Sequence, residues 1–186
     1  MYTIVCLGDS ITCEWEEPHY PTFWQELVDQ KYGQGKVKII AAGVNGETAQ
    51  DGYYRLSSDV ISHHPNLVTI MFGHNDIHQG ISVATFRQSL LQIIASLKST
   101  PIWLLSPNQI SNPQMVIIYQ PYLTELKSLA AAKHLPYIDL WSAFDGQDLS
   151  QIYTYPNDYV HPNALGHRLL AKYLLQQFEK FNLLSE

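Results

Sequence analysis

The chain has 186 residues, enough to bury a sizeable core, and is read as a single domain spanning residues 1–186. Hydrophobic residues make up 46% and charged residues 15%, a balance that excludes a disordered chain. With a formal charge of −6 and its 11 Lys and Arg scattered, the chain lacks the clustered cations a nucleic-acid surface needs. No apolar stretch approaches the length of a membrane span, so integral membrane association is not expected. The N-terminal residues Met1 to Leu7 lack a basic leader region, and Cys6 and Cys13 have no metal-like grouping. Both features predict a cytoplasmic protein with reduced thiols.

Five strand-like runs alternate with helical patterns. The strands are predicted at Thr3–Leu7, Val37–Ala42, Leu67–Phe72, Ile102–Ser106 and Tyr137–Leu140. Helical spacing covers Pro21–Tyr32, Thr48–Ser62, Ser82–Lys98 and Tyr119–Lys133. In the third, Phe86, Leu90, Ile93, Ile94 and Leu97 recur at three- and four-residue steps on one face. Pro162 is expected in the first turn of a last helix over Asn163–Phe181, with Leu165, Leu169, Tyr173, Leu174 and Phe178 toward the core. Such alternation predicts an α/β fold with a parallel sheet, right-handed crossovers and helices on both faces. The least regular connections are Cys13–Tyr20, Pro107–Val116 and Ser142–Asp158, and loops of this kind often carry binding or lid segments.

The polar residues that stand out directly follow strands. They are Gly8-Asp9-Ser10, Gly43-Val44-Asn45-Gly46 and Gly73-His74-Asn75-Asp76, joined by Asp158-Tyr159-Val160-His161-Pro162 before the last helix. In a doubly wound sheet these segments project from one edge, where open α/β folds place ligands. A serine hydroxyl attacks only when a base takes its proton, and a neutral imidazole suits that task. Asp158 and His161, three residues apart, supply a base and the acid that holds its tautomer. The backbone N–H groups of Ser10 and Gly43 and the side-chain amide of Asn75 are candidate oxyanion donors.

Taken alone, Gly-Asp-Ser reads as a turn whose serine caps a helix. Asp9 is expected to bond backbone in that turn, and Asp76 to cap the helix that follows it. His74 and His78 stand four apart, a spacing that can hold zinc, but no third ligand is evident and no metal is assigned. His167 reads as a packing residue of the last helix, and His63 and His64 as helix-end residues. Trp15, Tyr20 and His74 are candidate substrate contacts, with Trp24 equally a core residue. Met115, Val116 and Ile117 form a candidate apolar lid.

The four blocks Gly8-Asp9-Ser10-Ile11-Thr12, Ala-Gly43-Val-Asn-Gly-Glu-Thr, Gly73-His74-Asn75-Asp76 and Asp158-Tyr159-Val160-His161-Pro162 resemble those of the SGNH hydrolases, also called GDSL esterases/lipases. They occur in that family's order over essentially the whole chain. The departures are Ile11 for leucine, Ala41 for an asparagine common in relatives, and Cys13-Glu14-Trp15 where small residues often stand. The resemblance implies a flavodoxin-like three-layer α/β/α sandwich with a five-stranded parallel sheet in order 2-1-3-4-5. It implies hydrolysis of small acyl esters or thioesters without metal or organic cofactor. By motif, Ser10 matches the nucleophile, His161 the base, Asp158 its acid, and Ser10, Gly43 and Asn75 the oxyanion hole. Within that chemistry an acyl-ester, lysophospholipid or thioester hydrolase competes with a deacetylase of O-acetylated sugars. From other classes, a non-catalytic binding domain calls for a missing motif residue, and none is missing. A nucleotide binder calls for phosphate-cradling glycines absent from the first βα turn.

Overall fold

In the computed structural model, which describes residues 1–14, 18–153 and 158–184, the apolar runs form strands β1 (Tyr2–Gly8), β2 (Val37–Gly43), β3 (Leu67–Met71), β4 (Ile102–Leu105) and β5 (Tyr137–Ile138). They pair in parallel in the order β2-β1-β3-β4-β5, the order expected for the flavodoxin-like arrangement. Side chains alternate across the sheet with the two-residue period of a strand. Ile4 and Cys6 of β1 and Trp103 and Leu105 of β4 face α1 (Tyr20–Tyr32) and α8 (Ala164–Lys180). Val5, Leu7, Ile102 and Leu104 face the opposite layer, built from α2 (Ala49–Tyr54), α5 (Val83–Ser96) and α6 (Val116–Ala132). Burial on both faces explains why the strands read as continuous apolar runs. On the first face Phe178 stands edge-on to Trp24, with centroids 6.2 Å apart, and Trp24 stacks on Trp103 at 6.4 Å.

Several boundaries differ from the sequence reading, each for an identifiable physical reason. The stretch Thr48–Ser62 is broken into α2, α3 (Leu56–Asp59) and a 3-10 turn at Ile61–His63. The break falls at Arg55, whose guanidinium turns inward onto Glu47, Asp59 and the Gly8 carbonyl. His74–His78 form a one-turn helix, α4, so Asp76 lies inside a helix and does not cap the next one. Its carboxylate instead accepts the Ala49 N–H, while Ser82 caps α5. A further short helix, α7, covers Leu149–Ile152. Asn163 caps α8 by accepting the N–H groups of Leu165 and Gly166, which leaves Pro162 outside the first turn. The buried stripe of α8 accordingly includes His167, Leu170, Leu174 and Phe178, and Leu165 is exposed.

The α1–α8 seam holds a stacked histidine pair, His19 and His167, with centroids 4.2 Å apart and planes 7° apart. His167 Nδ1 accepts the Tyr20 N–H at 3.3 Å. Burial pushes the His167 imidazole down from 6.5 to about 3, with His19 and His161 adding repulsion. Its folded value lies below its unfolded one, so its contribution to stability is complete above the unfolded value and is lost as pH falls toward the folded value. His167→Gln keeps an acceptor for Tyr20 and removes the titration. The thermal midpoint of this variant is expected to fall less steeply than that of wild type between pH 6.5 and 4; parallel melting curves refute the assignment.

Candidate active site

Strand β1 ends at Gly8, and the chain turns at once. The Asp9 carbonyl accepts the N–H groups of Thr12 and Cys13, at 3.1 and 3.0 Å, and Asp9 Oδ1 accepts that of Ile11 at 3.0 Å. Asp9 therefore bonds backbone in the turn and leaves Ser10 pointing out of it. Complete burial pushes the Asp9 carboxyl up to about 7. The Ile11 N–H opposes this rise, and the charges of Asp76 and Glu47 add to it.

Glycine is required on the neighbouring strand because the turn lies against it. A Cβ on Gly43 would fall 2.5 Å from the Thr12 carbonyl carbon and 2.7 Å from the Asp9 oxygen, both backbone atoms. The Val44 N–H donates to Gly8 at 3.2 Å, so the Gly43 N–H, one residue earlier on the edge strand, faces away from β1. Asn75, in α4, reaches the same place from β3. Its Nδ2 donates to the Glu47 carbonyl at 2.9 Å and lies 3.5 Å from Asp9 Oδ2. Arg55 binds both Glu47 and the Gly8 carbonyl, and so ties the segment beneath Asn75 to the end of β1.

The loop before α8 closes the site. Ser10 Oγ lies 2.8 Å from His161 Nε2, and His161 Nδ1 lies 2.9 and 3.0 Å from the two Asp158 oxygens. Partial burial raises the Asp158 carboxyl, but the backbone and ring N–H groups of His161 and the Val160 N–H outweigh it, and Asp158 sits below its ordinary value. An ionised Asp158 only accepts, so His161 carries its proton on Nδ1 and turns a lone pair toward the serine hydroxyl. These groups open onto a cavity of about 410 Å³, with Asn75 and His78 in its wall and an apolar side from Ile77, Met115, Tyr119 and Val160.

The remaining candidates fall differently. His74 lines the cavity, but both ring nitrogens are engaged inside the protein, Nδ1 with the Tyr119 hydroxyl at 2.9 Å and Nε2 with Asn108 Oδ1 at 3.0 Å. Burial pushes its imidazole down to about 4. Tyr20 is fully buried in the core with its hydroxyl on Thr12, away from the cavity wall. Trp15 lies outside the described residues. Trp24 is core. Of the proposed lid, Met115 lines the cavity, while Ile117 is exposed on the first turn of α6. Sequence reasoning did not single out Arg55, Asn108 or Tyr119. Their links to Gly8, His74 and Val160 span 34 to 52 residues, and the one signal was the position of Asn108 in the irregular connection after β4.

A parallel α/β sheet with both faces covered thus brings three strand-end segments and the loop before α8 together at its carboxyl edge, where a serine lies on a histidine–aspartate pair. The GDSL-like Lipase/Acylhydrolase family model matches residues 6–169, and the chain belongs to that family. It is 30% identical over 97 residues to the Thioesterase 1/protease 1/lysophospholipase L1 of Escherichia coli, a match covering 52% of this chain and 46% of that enzyme. The chain thus spans about half the length of that relative. It is 25% identical to an acetylxylan esterase of Geobacillus stearothermophilus over 94% of this chain and 92% of that one. The crystal structure of a lipase/acylhydrolase from Enterococcus faecalis superimposes with a TM-score of 0.85 at 27% identity, covering 97% of each chain.

Backbone approach at Gly43 carries a direct consequence. Gly43→Ala forces the β1 turn to shift, which is expected to cost about 1–3 kcal/mol of stability. Urea denaturation checks this, and an unchanged midpoint would show that the turn yields freely.

Proposed function

We propose that the protein is a serine-dependent carboxylic ester hydrolase, built as one hydrolase domain, that works through an acyl-enzyme on acyl esters, lysophospholipids or thioesters. The observation that carries this reading is the unbroken row Ser10–His161–Asp158 at the cavity, with the Asn75 amide beside it. Ser10 Oγ attacks the acyl carbonyl carbon as His161 Nε2 takes its proton. Asp158 holds the ring and stabilises the imidazolium. The carbonyl oxygen becomes an oxyanion and receives the N–H groups of Ser10 and Gly43 and Asn75 Nδ2. When the intermediate collapses, the bond to the alcohol or thiol breaks and His161 returns the proton to the leaving group. Water then repeats the sequence on the acyl-serine and frees the acid.

The near-complete match to an acetylxylan esterase favours a second reading on the same machinery, an O-acetyl-carbohydrate deacetylase. Rates on acetyl, butyryl and octanoyl p-nitrophenyl esters, set against release of acetate from acetylated xylose, separate the two.

Ser10→Ala is expected to abolish turnover of p-nitrophenyl acetate and labelling by a fluorophosphonate. A folded variant with full activity would overturn the nucleophile. Asn75→Ala is expected to lower kcat on the order of 10²- to 10³-fold, the cost of one oxyanion donor.

A further inference from the structure

The stretch after β4 has no part in the chemistry above, yet it carries an amide with no solvent exposure, Asn108. Its Nδ2 lies 3.1 Å from the Val160 carbonyl, 3.1 Å from the Tyr153 hydroxyl and 3.3 Å from the Gln109 carbonyl. Its Oδ1 faces His74 Nε2. The direction of every bond follows from one end. A carbonyl only accepts, so the amide nitrogen must face Val160, and Oδ1 is left to accept from His74. His74 then carries its proton on Nε2 and accepts the Tyr119 hydroxyl at Nδ1. One residue pair further along, the Ser111 N–H donates to the Tyr159 carbonyl at 3.0 Å. The connection after β4 therefore grips residues 159 and 160, immediately ahead of His161. Through His74 it also grips the residue immediately ahead of Asn75.

We propose that Asn108 is the positioning residue that sets His161 against Ser10, an inference that rests on reading Ser10 as nucleophile and His161 as base. The side chains of His161 and Asp158 are 49% and 35% exposed and belong to one loop, so their mutual bond moves with that loop. The distance from His161 to Ser10 is set by whatever fixes the loop to the sheet. Asn108 does this from the end of β4, with a donor on the residue adjoining the base. A neutral amide performs the task without placing a charge beside the imidazole.

Two variants divide the role. Asn108→Leu keeps the volume and removes every hydrogen bond, whereas Asn108→Asp keeps the oxygen for His74 and loses the donor to Val160. Both are expected to lower kcat for p-nitrophenyl acetate on the order of 10²-fold, the scale of an ångström of misplacement, with KM nearly unchanged. In a His161→Ala background neither is expected to lower the residual kcat/KM further, because the effect passes through His161. An equal loss in that background, or full kcat in both single variants beside a slow His161→Ala protein, overturns the positioning role alone. A His161→Ala protein as fast as wild type overturns the base, and this proposal with it. Should Asn108→Leu fail to fold by circular dichroism, the Asn108→Asp cycle decides.

Discussion

The site depends on the backbone contact between Gly43 and the turn from Asp9 to Cys13. Two parallel strands end in register at Gly8 and Gly43, and the chain after Gly8 folds back across the end of its neighbour. Any side chain at residue 43 would push that turn off the sheet edge, and Ser10 with it. Gly8 completes the wedge, since a Cβ there would fall 2.9 Å from the Met71 carbonyl on the other neighbouring strand.

The carboxylates around this edge differ because their surroundings differ. Asp9 is fully buried with the Ile11 N–H as its main compensation, and burial wins, lifting it to about 7. Asp76 has the Ala49 N–H and rises to about 6, again through burial. Asp158 is only partly buried and takes two backbone N–H groups as well as the imidazole, so its charged form is favoured. Of these three acids, the one held firmly ionised at neutral pH is the one beside His161. Asp9 adjoins Ser10 in sequence, but its environment suits it to holding the turn.

The same contrast between local and distant causes explains what could be read from the residues alone. The strands were accessible because burial on both faces leaves continuous apolar runs, and their order came from the family resemblance that the strand-end motifs carry. The N-caps and breaks were less accessible. Pro162 fits a first turn by its own conformation, but the Asn163 side chain bonds the N–H groups two and three residues on and fixes the start of α8 later. The break at Arg55 has no local cause in a stretch with helical spacing; it follows from a guanidinium needed at the Gly8 carbonyl, 47 residues away. Asp76 looked like a cap for its own neighbourhood and instead caps a helix packed beside it. Asn108 and Tyr119 carry no motif at all, because their role lies in which loops they join.

These long-range ties also bear on charge at the reacting centre. In the proposed mechanism His161 gains a proton during attack, and a second cation nearby would oppose that step. His74 lies in the same cavity wall, and its interaction with His161 is one of like charges whenever both are protonated. Burial holds His74 down to about 4, so it stays neutral at neutral pH. Its hydrogen bonds to Asn108 and Tyr119 are between neutral partners and survive without a counter-ion. A salt bridge in the same place would hold the loops as firmly, but it would add a fixed charge next to the base. The neutral network achieves the same fixation while leaving Asp158 as the charge beside His161, which is what the proposed mechanism requires of it.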